Sequence, residues 1–301
     1  MIALPPFGRC VCTRRSVSRA GGRILRIAVL TTLAMLAFAA NSILCRLALR
    51  DGDIDPASFT FIRMLSGALV LWVIVRVRAR DDAWSRGDWR SAAALFAYAV
   101  AFSYAYIGLS AGAGALLLFG AVQATMILTA LVRGERMSGV QWAGFALAVG
   151  GLLVLLSPGL TAPPWFASLL MIAAGIAWGV YSLRGRGNTD PLATTAGNFL
   201  RSVPMVLVLV MLAWPWLEAT PAGIVPAVLS GALASGIGYA VWYAALPRLA
   251  ATSAATVQLS VPVIAAAGGA MLLAEPLTLR LMLASVATLG GIWLVIRWRR
   301  A

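Results

Sequence analysis

Long apolar runs separated by short polar breaks dominate this chain. A helix needs about 20 consecutive apolar residues to cross a bilayer, and ten stretches reach that length. They cover residues 26–48, 56–77, 90–109, 112–132, 139–157, 165–184, 192–213, 222–246, 250–273 and 279–297. The breaks contain proline and glycine, which end helices. The pattern predicts an all-α integral membrane protein with ten transmembrane helices.

Part of this pattern occurs twice. Residues 111–155 align without a gap to residues 251–295, at an offset of 140. The offset brings an acid and two adjacent glycines to the same positions: Glu135 with Glu275, and Gly150-Gly151 with Gly290-Gly291. Such a match within one hydropathy pattern is typical of an internally duplicated membrane protein. We expect one five-helix repeat over residues 24–157 and a second over residues 165–299.

Charge supports a membrane location and predicts the topology. Only 11% of the residues are charged, against about 25% in a soluble domain. All 24 basic residues are arginine, in short clusters rather than in an aromatic-lined nucleic-acid groove. Cytoplasmic loops of membrane proteins carry the excess of arginine, and 19 of the 24 lie on one side when the amino terminus is inside. We therefore expect a bacterial inner-membrane protein with both termini cytoplasmic and no nucleic-acid partner.

An odd number of spans per repeat makes the second repeat enter the membrane in the opposite sense. The fold class we predict is therefore two inverted five-helix repeats around a central cavity. Carriers with this symmetry bind their substrates near the midplane, between the halves. Transport of a small molecule becomes the leading function.

The first 23 residues are rich in arginine and lack the apolar core of a signal peptide. We expect residues 1–23 to form a disordered cytoplasmic tail. Cys10 and Cys12 lack the further Cys or His residues that a metal site requires. We predict no metal, no cofactor and, for the assembly, a monomer in the lipid bilayer.

The repeated blocks SAGAGALLLFGAVQATMILTALVRGERMSGVQWAGFALAVGGLLVL and AATSAATVQLSVPVIAAAGGAMLLAEPLTLRLMLASVATLGGIWLVI carry a family resemblance. Each has a glutamate followed by Ser or Thr three residues on, and spans two and seven each hold a Phe-x-Arg. The chain resembles the EamA-type ten-helix exporters of the drug/metabolite transporter superfamily. Its Tyr and Trp residues make it similar to the YddG aromatic amino-acid exporter subgroup. The resemblance implies ten helices around a cavity and efflux of small metabolites.

Arg63 and Arg201 lie about two turns inside spans two and seven, away from the span ends. An arginine at that depth costs a few kcal/mol unless it is paired or reaches the headgroups. One interpretation is a charge that attracts a substrate carboxylate. The other, which we favour, is a structural or gating role in which each side chain anchors its helix.

Aromatic residues on spans three, six and eight are the candidates for a binding pocket. Tyr and Trp combine a large apolar face with one polar group, which suits an aromatic or bulky solute. The candidates are Tyr98, Tyr104, Trp178, Tyr181, Tyr239, Trp242 and Tyr243. Helix packing explains the mid-span members equally well, so both interpretations remain open.

Amides at membrane depth need polar partners, either in a hydrated cavity or on a neighbouring helix. Asn41, Gln123 and Gln258 are our candidates for binding the ammonium or carboxylate of the substrate. Pro262 follows one turn after Gln258 and should weaken the local helix. Glu135 and Glu275 fall at opposite faces and are expected to act at turns or gates.

The chain has no His, and all ten acids map to loops or span ends. An antiporter usually relies on a buried acid or His, so we expect export by alternating access with facilitated diffusion. The expected substrates are aromatic and other bulky amino acids. Efflux of drugs, nucleosides or other metabolites is the alternative. An intramembrane enzyme is disfavoured, because no nucleophile and base or paired acids lie within the spans.

Overall fold

The structure is a computed structural model that describes residues 14–79, 86–159, 162–249 and 251–298. These residues form helices, apart from loops and one isolated antiparallel bridge between Ile54 and Ala219. The helices are α1 (Arg14–Leu49), α2 (Pro56–Ala79), α3 (Trp89–Ala105), α4 (Ala111–Val132), α5 (Gly139–Leu156), α6 (Trp165–Arg184), α7 (Pro191–Leu212), α8 (Pro221–Leu229), a π-helical segment (Ser230–Ile237), α9 (Gly238–Ala245), α10 (Ala251–Gln258), α11 (Ser260–Leu273) and α12 (Leu279–Arg297).

Two boundaries differ from the prediction. Residues 14–23, which we expected in a disordered tail, continue α1, and arginine and alanine in this stretch favour helix. The rest of that tail, with Cys10 and Cys12, lies outside the described residues. α3 ends at Ala105 instead of residue 109, because the chain turns ahead of Gly108 and Ser110. At 17 residues α3 is about 26 Å long.

Nine spans within the described ranges are long and apolar enough to cross a membrane. α3 is too short to be among them. The count of ten therefore depends on how α3 is treated. α8, the π-helical segment and α9 together form one of the nine, as do α10 and α11.

Two of the spans are interrupted. The π-helical segment Ser230–Ile237 separates α8 from α9, and π-helical turns are frequent at functional sites. Leu259 separates α10 from α11. Pro262, two residues after α11 begins, has no N–H for the carbonyl of Gln258. The predicted weakening near Pro262 thus coincides with a helix break.

Helices pack across the boundary between the repeats. α2 packs against α7, α5 against α12, and α4 against α11; α6 packs against α3 and α4, while α1 packs against α8, α9 and α11. The shared Ser or Thr of the repeated motif has one structural role in both copies. Ser138 caps α5 by accepting a hydrogen bond from Gln141 N, and Thr278 caps α12 in the same way from Leu281 N.

Close contact between α5 and α12 explains why two of the four repeated glycines, Gly151 and Gly291, have no room for a side chain. A Cβ on Gly151 would lie 2.5 Å from Thr288 Oγ1, and one on Gly291 would collide with the backbone of Gly144 and Ala148. Gly150 and Gly290 have open space around them. The Thr288 hydroxyl donates to the carbonyl of Ala148 at 3.3 Å, and these residues are separated by the repeat offset of 140.

The two ends of the bundle are named after residues they contain. At the Glu275 end, Arg46 pairs with Glu275 at 3.1 Å, and the backbone N–H of Glu218 donates to Asp55. At the Arg184 end, Arg184 pairs with Asp88 at 2.8 Å. Chain segments from both repeats meet at each end.

Candidate functional site

A cavity of about 590 Å³ lies between the two repeats. Residues of α1, α3, α4, α6, α7, the π-helical segment, α9 and α10 line it. Its lining reaches the exposed loop residues 185–188 and Pro247, so it opens at the Arg184 end. None of its described lining residues lies in a loop of the Glu275 end.

Aromatic side chains form one wall of this cavity, with Trp178 at its centre. The Trp178 ring lies 4.8 Å from that of Tyr98, 5.7 Å from Tyr239 and 5.2 Å from Tyr181, between centroids. The rings of Trp178 and Tyr239 are nearly parallel, at 21°. Aromatic pairs at such distances each contribute about 0.5–1.5 kcal/mol beyond burial. The wall is therefore a connected surface rather than a set of separate anchors.

Hydroxyl groups join part of the wall on its polar side. The Tyr181 hydroxyl donates to Thr195 Oγ1 at 3.3 Å, and Thr195 and Tyr243 share a hydrogen bond of 3.1 Å. The side-chain N–H of Asn198 donates to the Tyr181 hydroxyl at 3.4 Å. These bonds fix the orientation of two rings that line the cavity.

The three amides predicted at the site all line the cavity, with different partners. Asn41 Oδ1 accepts from Ser230 at 2.6 Å, and its Nδ2 donates to the Tyr98 hydroxyl at 3.4 Å. No described protein group hydrogen-bonds to the side chains of Gln123 and Gln258. Their amides are therefore free to bind water or a solute.

Nine of the ten predicted substrate-binding residues line the cavity. They are Asn41, Tyr98, Gln123, Trp178, Tyr181, Tyr239, Trp242, Tyr243 and Gln258. Tyr104 is the exception: it does not line the cavity and lies half-buried near Asp55, toward the Glu275 end. It stands two residues from Phe102, which puts it on another face of α3. The role of the nine in binding a substrate stays a prediction.

Three aromatic residues of the cavity, Phe38, Phe102 and Phe119, are not among the ten predicted residues. Phe38 packs against Tyr239 at 5.7 Å and Trp242 at 6.1 Å, and Phe119 also lines the cavity. Phe38 precedes Asn41 by three residues and Phe119 precedes Gln123 by four, so each shares a helical face with a predicted residue. That spacing is the signal that could have found them.

Arg63 lies directly behind the cavity wall. Its side chain is 1% exposed, and its guanidinium carbon lies 4.7 Å from the ring centroid of Phe102 and 5.3 Å from that of Tyr98. Its Nη2 donates to the Tyr98 hydroxyl at 3.0 Å, whereas Nε and Nη1 have no hydrogen-bond partner. None of the described acids forms an ion pair with it. Stacking on two rings offsets only part of the cost of burying a cation.

Arg201 holds the matching position of the second repeat but has other partners. Its Nη1 donates to the carbonyls of Arg86 at 2.6 Å and Gly197 at 3.1 Å. The side chain is half-buried and binds backbone at the Arg184 end. The two arginines thus have different surroundings, and the structural or gating role of each stays a prediction.

Glu275 connects three helices at the closed end. Its Oε2 accepts from the backbone N–H of Ala111 at the start of α4, at 2.8 Å, and its Oε1 accepts from Arg46 Nε. A carboxylate at a helix amino terminus is favoured by the helix dipole. Arg46 Nη1 also donates to the carbonyls of Tyr106 and Ile107 at 2.9 and 2.8 Å. The cluster fastens α1, the α3–α4 loop and the α11–α12 loop together.

Asp88 is an acidic group at the open end with several hydrogen-bond partners. It caps α3 by accepting from Ser91 N at 3.0 Å and Ser91 Oγ at 2.6 Å, and it accepts from Arg184 at 2.8 Å. Partial burial raises the pKa of this carboxyl, but the bonds from Ser91 and Arg184 outweigh it and lower the pKa to about 2. Asp88 is therefore ionised at neutral pH.

No group of three His, Cys, Asp or Glu within the described ranges could hold a metal ion. The features that could take part in binding or transport are the cavity, the buried Arg63 and the Glu275 cluster. Together they form a solute-sized site closed at one end.

The EamA-like transporter family matches this chain twice, over residues 25–157 and 165–297. The chain belongs to this family. It is therefore a multi-pass membrane protein of a transporter family, as the repeated blocks indicated. Similarity to the aromatic amino-acid exporter subgroup stays a prediction.

Individual relatives of this EamA-like transporter agree with the family match. An uncharacterized protein of Pseudomonas aeruginosa is 58% identical over 271 residues, covering 90% of this chain and 94% of the relative. A probable amino-acid metabolite efflux pump of Escherichia coli (strain K12) is 27% identical, covering 68% and 74%. A protein crystal structure, 18% identical, superposes with a TM-score of 0.64 over 89% of this chain and 96% of that chain, which indicates a shared fold.

Proposed function

We propose that this protein exports bulky amino acids, above all aromatic ones, across the bacterial inner membrane. The observation that carries the proposal is the continuous aromatic wall around Trp178 in a cavity of about 590 Å³. Cavities of roughly 300–1,000 Å³ suit small-molecule ligands. The Escherichia coli relative, described as a probable amino-acid metabolite efflux pump, supports the same substrate class.

The architecture we propose is ten helices in two inverted repeats, acting as a monomer with both termini in the cytoplasm. The helix pairing supports it, because exchanging the repeats turns the most extensive helix contacts into other observed contacts. For example, α3 with α6 becomes the contact of α8 and α9 with α1. The hydrogen bond between Thr288 and Ala148 joins equivalent positions, as expected at a two-fold axis. α3 would then be the tenth span.

Transport proceeds by alternating access in this proposal. The cavity opens at the Arg184 end, which the arginine distribution assigns to the cytoplasm. The Glu275 cluster forms the outer gate. In the opposite state Glu135, the repeat equivalent of Glu275, would take the corresponding role at the start of α10, with the break near Pro262 accommodating the movement.

Energy coupling is proposed to be facilitated diffusion. No span carries an acid or His at its centre that could relay protons. In vesicles with a pH jump and no substrate gradient, we expect no sustained uphill accumulation. Such accumulation at more than about twice the outside concentration would overturn this part of the proposal.

Counterflow in vesicles tests the substrate class. The purified chain, reconstituted with unlabelled phenylalanine inside, should take up labelled phenylalanine, tyrosine, tryptophan and leucine transiently, and glycine much less. Trp178→Ala should reduce this uptake about tenfold, because the centre of the aromatic wall is lost. Trp165→Ala, on the same helix but 74% exposed, is the matched control and should keep uptake near wild type. Uptake confined to nucleosides or cationic dyes would overturn the amino-acid assignment.

A further inference from the structure

Arg63 combines a full positive charge with two unpartnered nitrogens in the interior of the protein. A buried cation is normally neutralised by an acid or surrounded by hydrogen-bond acceptors. Arg63 contacts two aromatic rings and one hydroxyl instead. The protein supplies no described counter-ion, so the local charge is available to an incoming anion.

The Tyr98 hydroxyl links Arg63 to the cavity. Its oxygen accepts from Arg63 Nη2 at 3.0 Å and from Asn41 Nδ2 at 3.4 Å. With both of these bonds received, its own hydrogen is available to an acceptor, and no described protein group accepts it. Both Tyr98 and Asn41 line the cavity. A donor of this kind, polarised by the guanidinium behind it, favours an anionic oxygen.

We infer that the Tyr98 hydroxyl and the Asn41 amide, which line the cavity, bind the carboxylate of the transported solute, and that Arg63 behind them supplies the positive charge. The aromatic wall then receives the side chain of that solute, because Trp178 lies beside Tyr98. The substrate class is a monocarboxylate with a bulky apolar side chain. The inference rests on the proposed function and narrows it: amines and amides of the same shape bind poorly.

Three ligands that share one ring but differ in charge test this inference. They are phenylalanine, phenylalaninamide and 3-phenylpropionate, titrated by calorimetry into the full-length chain in detergent. We expect both carboxylates to bind at least about tenfold more tightly than the amide. Binding of the amide within about threefold of phenylalanine, or binding of none of the three, overturns the inference.

Variants of Arg63 and of Arg201, the equivalent residue of the second repeat, test whether Arg63 causes the preference for carboxylates over the amide. Arg63→Gln should reduce the ratio of carboxylate to amide affinity to about one, and Arg63→Lys should restore part of it. Arg201→Gln removes hydrogen bonds to the carbonyls of Arg86 and Gly197, does not alter the cavity lining, and should leave the ratio unchanged. An unchanged ratio in folded Arg63→Gln, judged by its gel-filtration profile, contradicts the assignment. The wild-type titrations decide the inference if this variant does not fold.

Failure of the inference and failure of the proposed function give different results. Counterflow of phenylalanine together with equal binding of the amide leaves the export function standing and removes the carboxylate site. Carboxylate-selective binding without counterflow of any amino acid supports the site and removes the export function.

Discussion

The Glu275 end and the Arg184 end of the bundle contain similar charged groups in different surroundings. The Arg46–Glu275 pair is largely buried, with side chains 20% and 12% exposed, whereas Arg184 and Asp88 are 36% and 48% exposed. The arginines of the repeated Phe-x-Arg motif also differ in burial, and the one in the first repeat is the more buried. Arg63 is enclosed by rings, and Arg201 is half-buried against carbonyls.

This difference shows that equivalent residues of the two repeats have different surroundings in a single conformation. Equivalent residues cannot make equivalent contacts when the cavity is open at one end and closed at the other. The α5–α12 contact is the exception, since Gly151 and Gly291 play matching roles there. Contacts that differ between the ends are therefore candidates for change during transport, and contacts that match are candidates for a fixed frame.

The largest expected effect comes from placing an acid beside Arg63 and the Tyr98 hydroxyl. Asn41→Asp places a carboxylate beside the Tyr98 hydroxyl, where it would compete with the carboxylate of the substrate. We expect counterflow of phenylalanine to fall about tenfold or more, while the free energy of unfolding rises by about 1 kcal/mol through charge-assisted bonds. Asn41→Ala is the control, with a smaller loss of counterflow and no gain in stability. Wild-type counterflow in Asn41→Asp would argue against a carboxylate site.

The closed end can be weakened with Glu275→Gln. The change removes the charge that binds Arg46 and Ala111 N, and the loss of about 1 kcal/mol corresponds to about a fivefold shift in population. Cys45 is buried and adjacent to Arg46, so its thiol reports opening. In a Cys10→Ser, Cys12→Ser background, we expect thiol labelling of Cys45 to become about fivefold faster.

Glu135→Gln is the matched control for this experiment because it alters the equivalent glutamate at the other end. It should not accelerate labelling of Cys45. Equal rates in the two variants would mean that Glu275 does not hold the closed end.

Substitutions of the adjacent Gly290 and Gly291 test the close contact between α12 and α5. Gly291→Ala pushes a methyl group into the backbone of α5, which should cost about 1–3 kcal/mol of stability. Gly290→Ala meets open space and should raise stability by up to about 1 kcal/mol, because alanine favours helix. Thermal unfolding in detergent measures both. Indistinguishable melting temperatures would contradict the close approach of α5 and α12.

The exposed pair at the Arg184 end should matter least. The folded-state pKa of Asp88, about 2, lies below the ordinary value of 3.8. Its contribution to stability is therefore complete above about pH 4 and is lost as the pH falls toward 2. Asp88→Asn keeps the helix cap but should remove this acid dependence and lower stability by no more than about 0.5 kcal/mol. Melting curves at pH 6 and pH 3 measure it, and a loss above 2 kcal/mol would disagree.

Much of this architecture could be predicted from local patterns in the sequence. The apolar runs are a property of neighbouring residues, so they predicted membrane helices without knowledge of the fold. The choice of aromatic residues within the spans was likewise local, and of the predicted aromatic residues of span eight, Tyr239, Trp242 and Tyr243 all line the cavity. The same local rules failed at Tyr104 and at the end of α3, where a loop decides which residues remain helical.

The sequence by itself determined the membrane class, the duplication and the transporter family, because hydropathy and repeated motifs are written in consecutive residues. Only the tertiary structure decided that Arg63 is buried beside Tyr98 while Arg201 binds carbonyls, and that the Glu275 end is the closed one. These features depend on contacts between distant segments, such as Asn41 with Ser230 across 189 residues. A repeat also gives both halves the same local signals, so the differences between the halves arise only from the tertiary contacts of the folded chain.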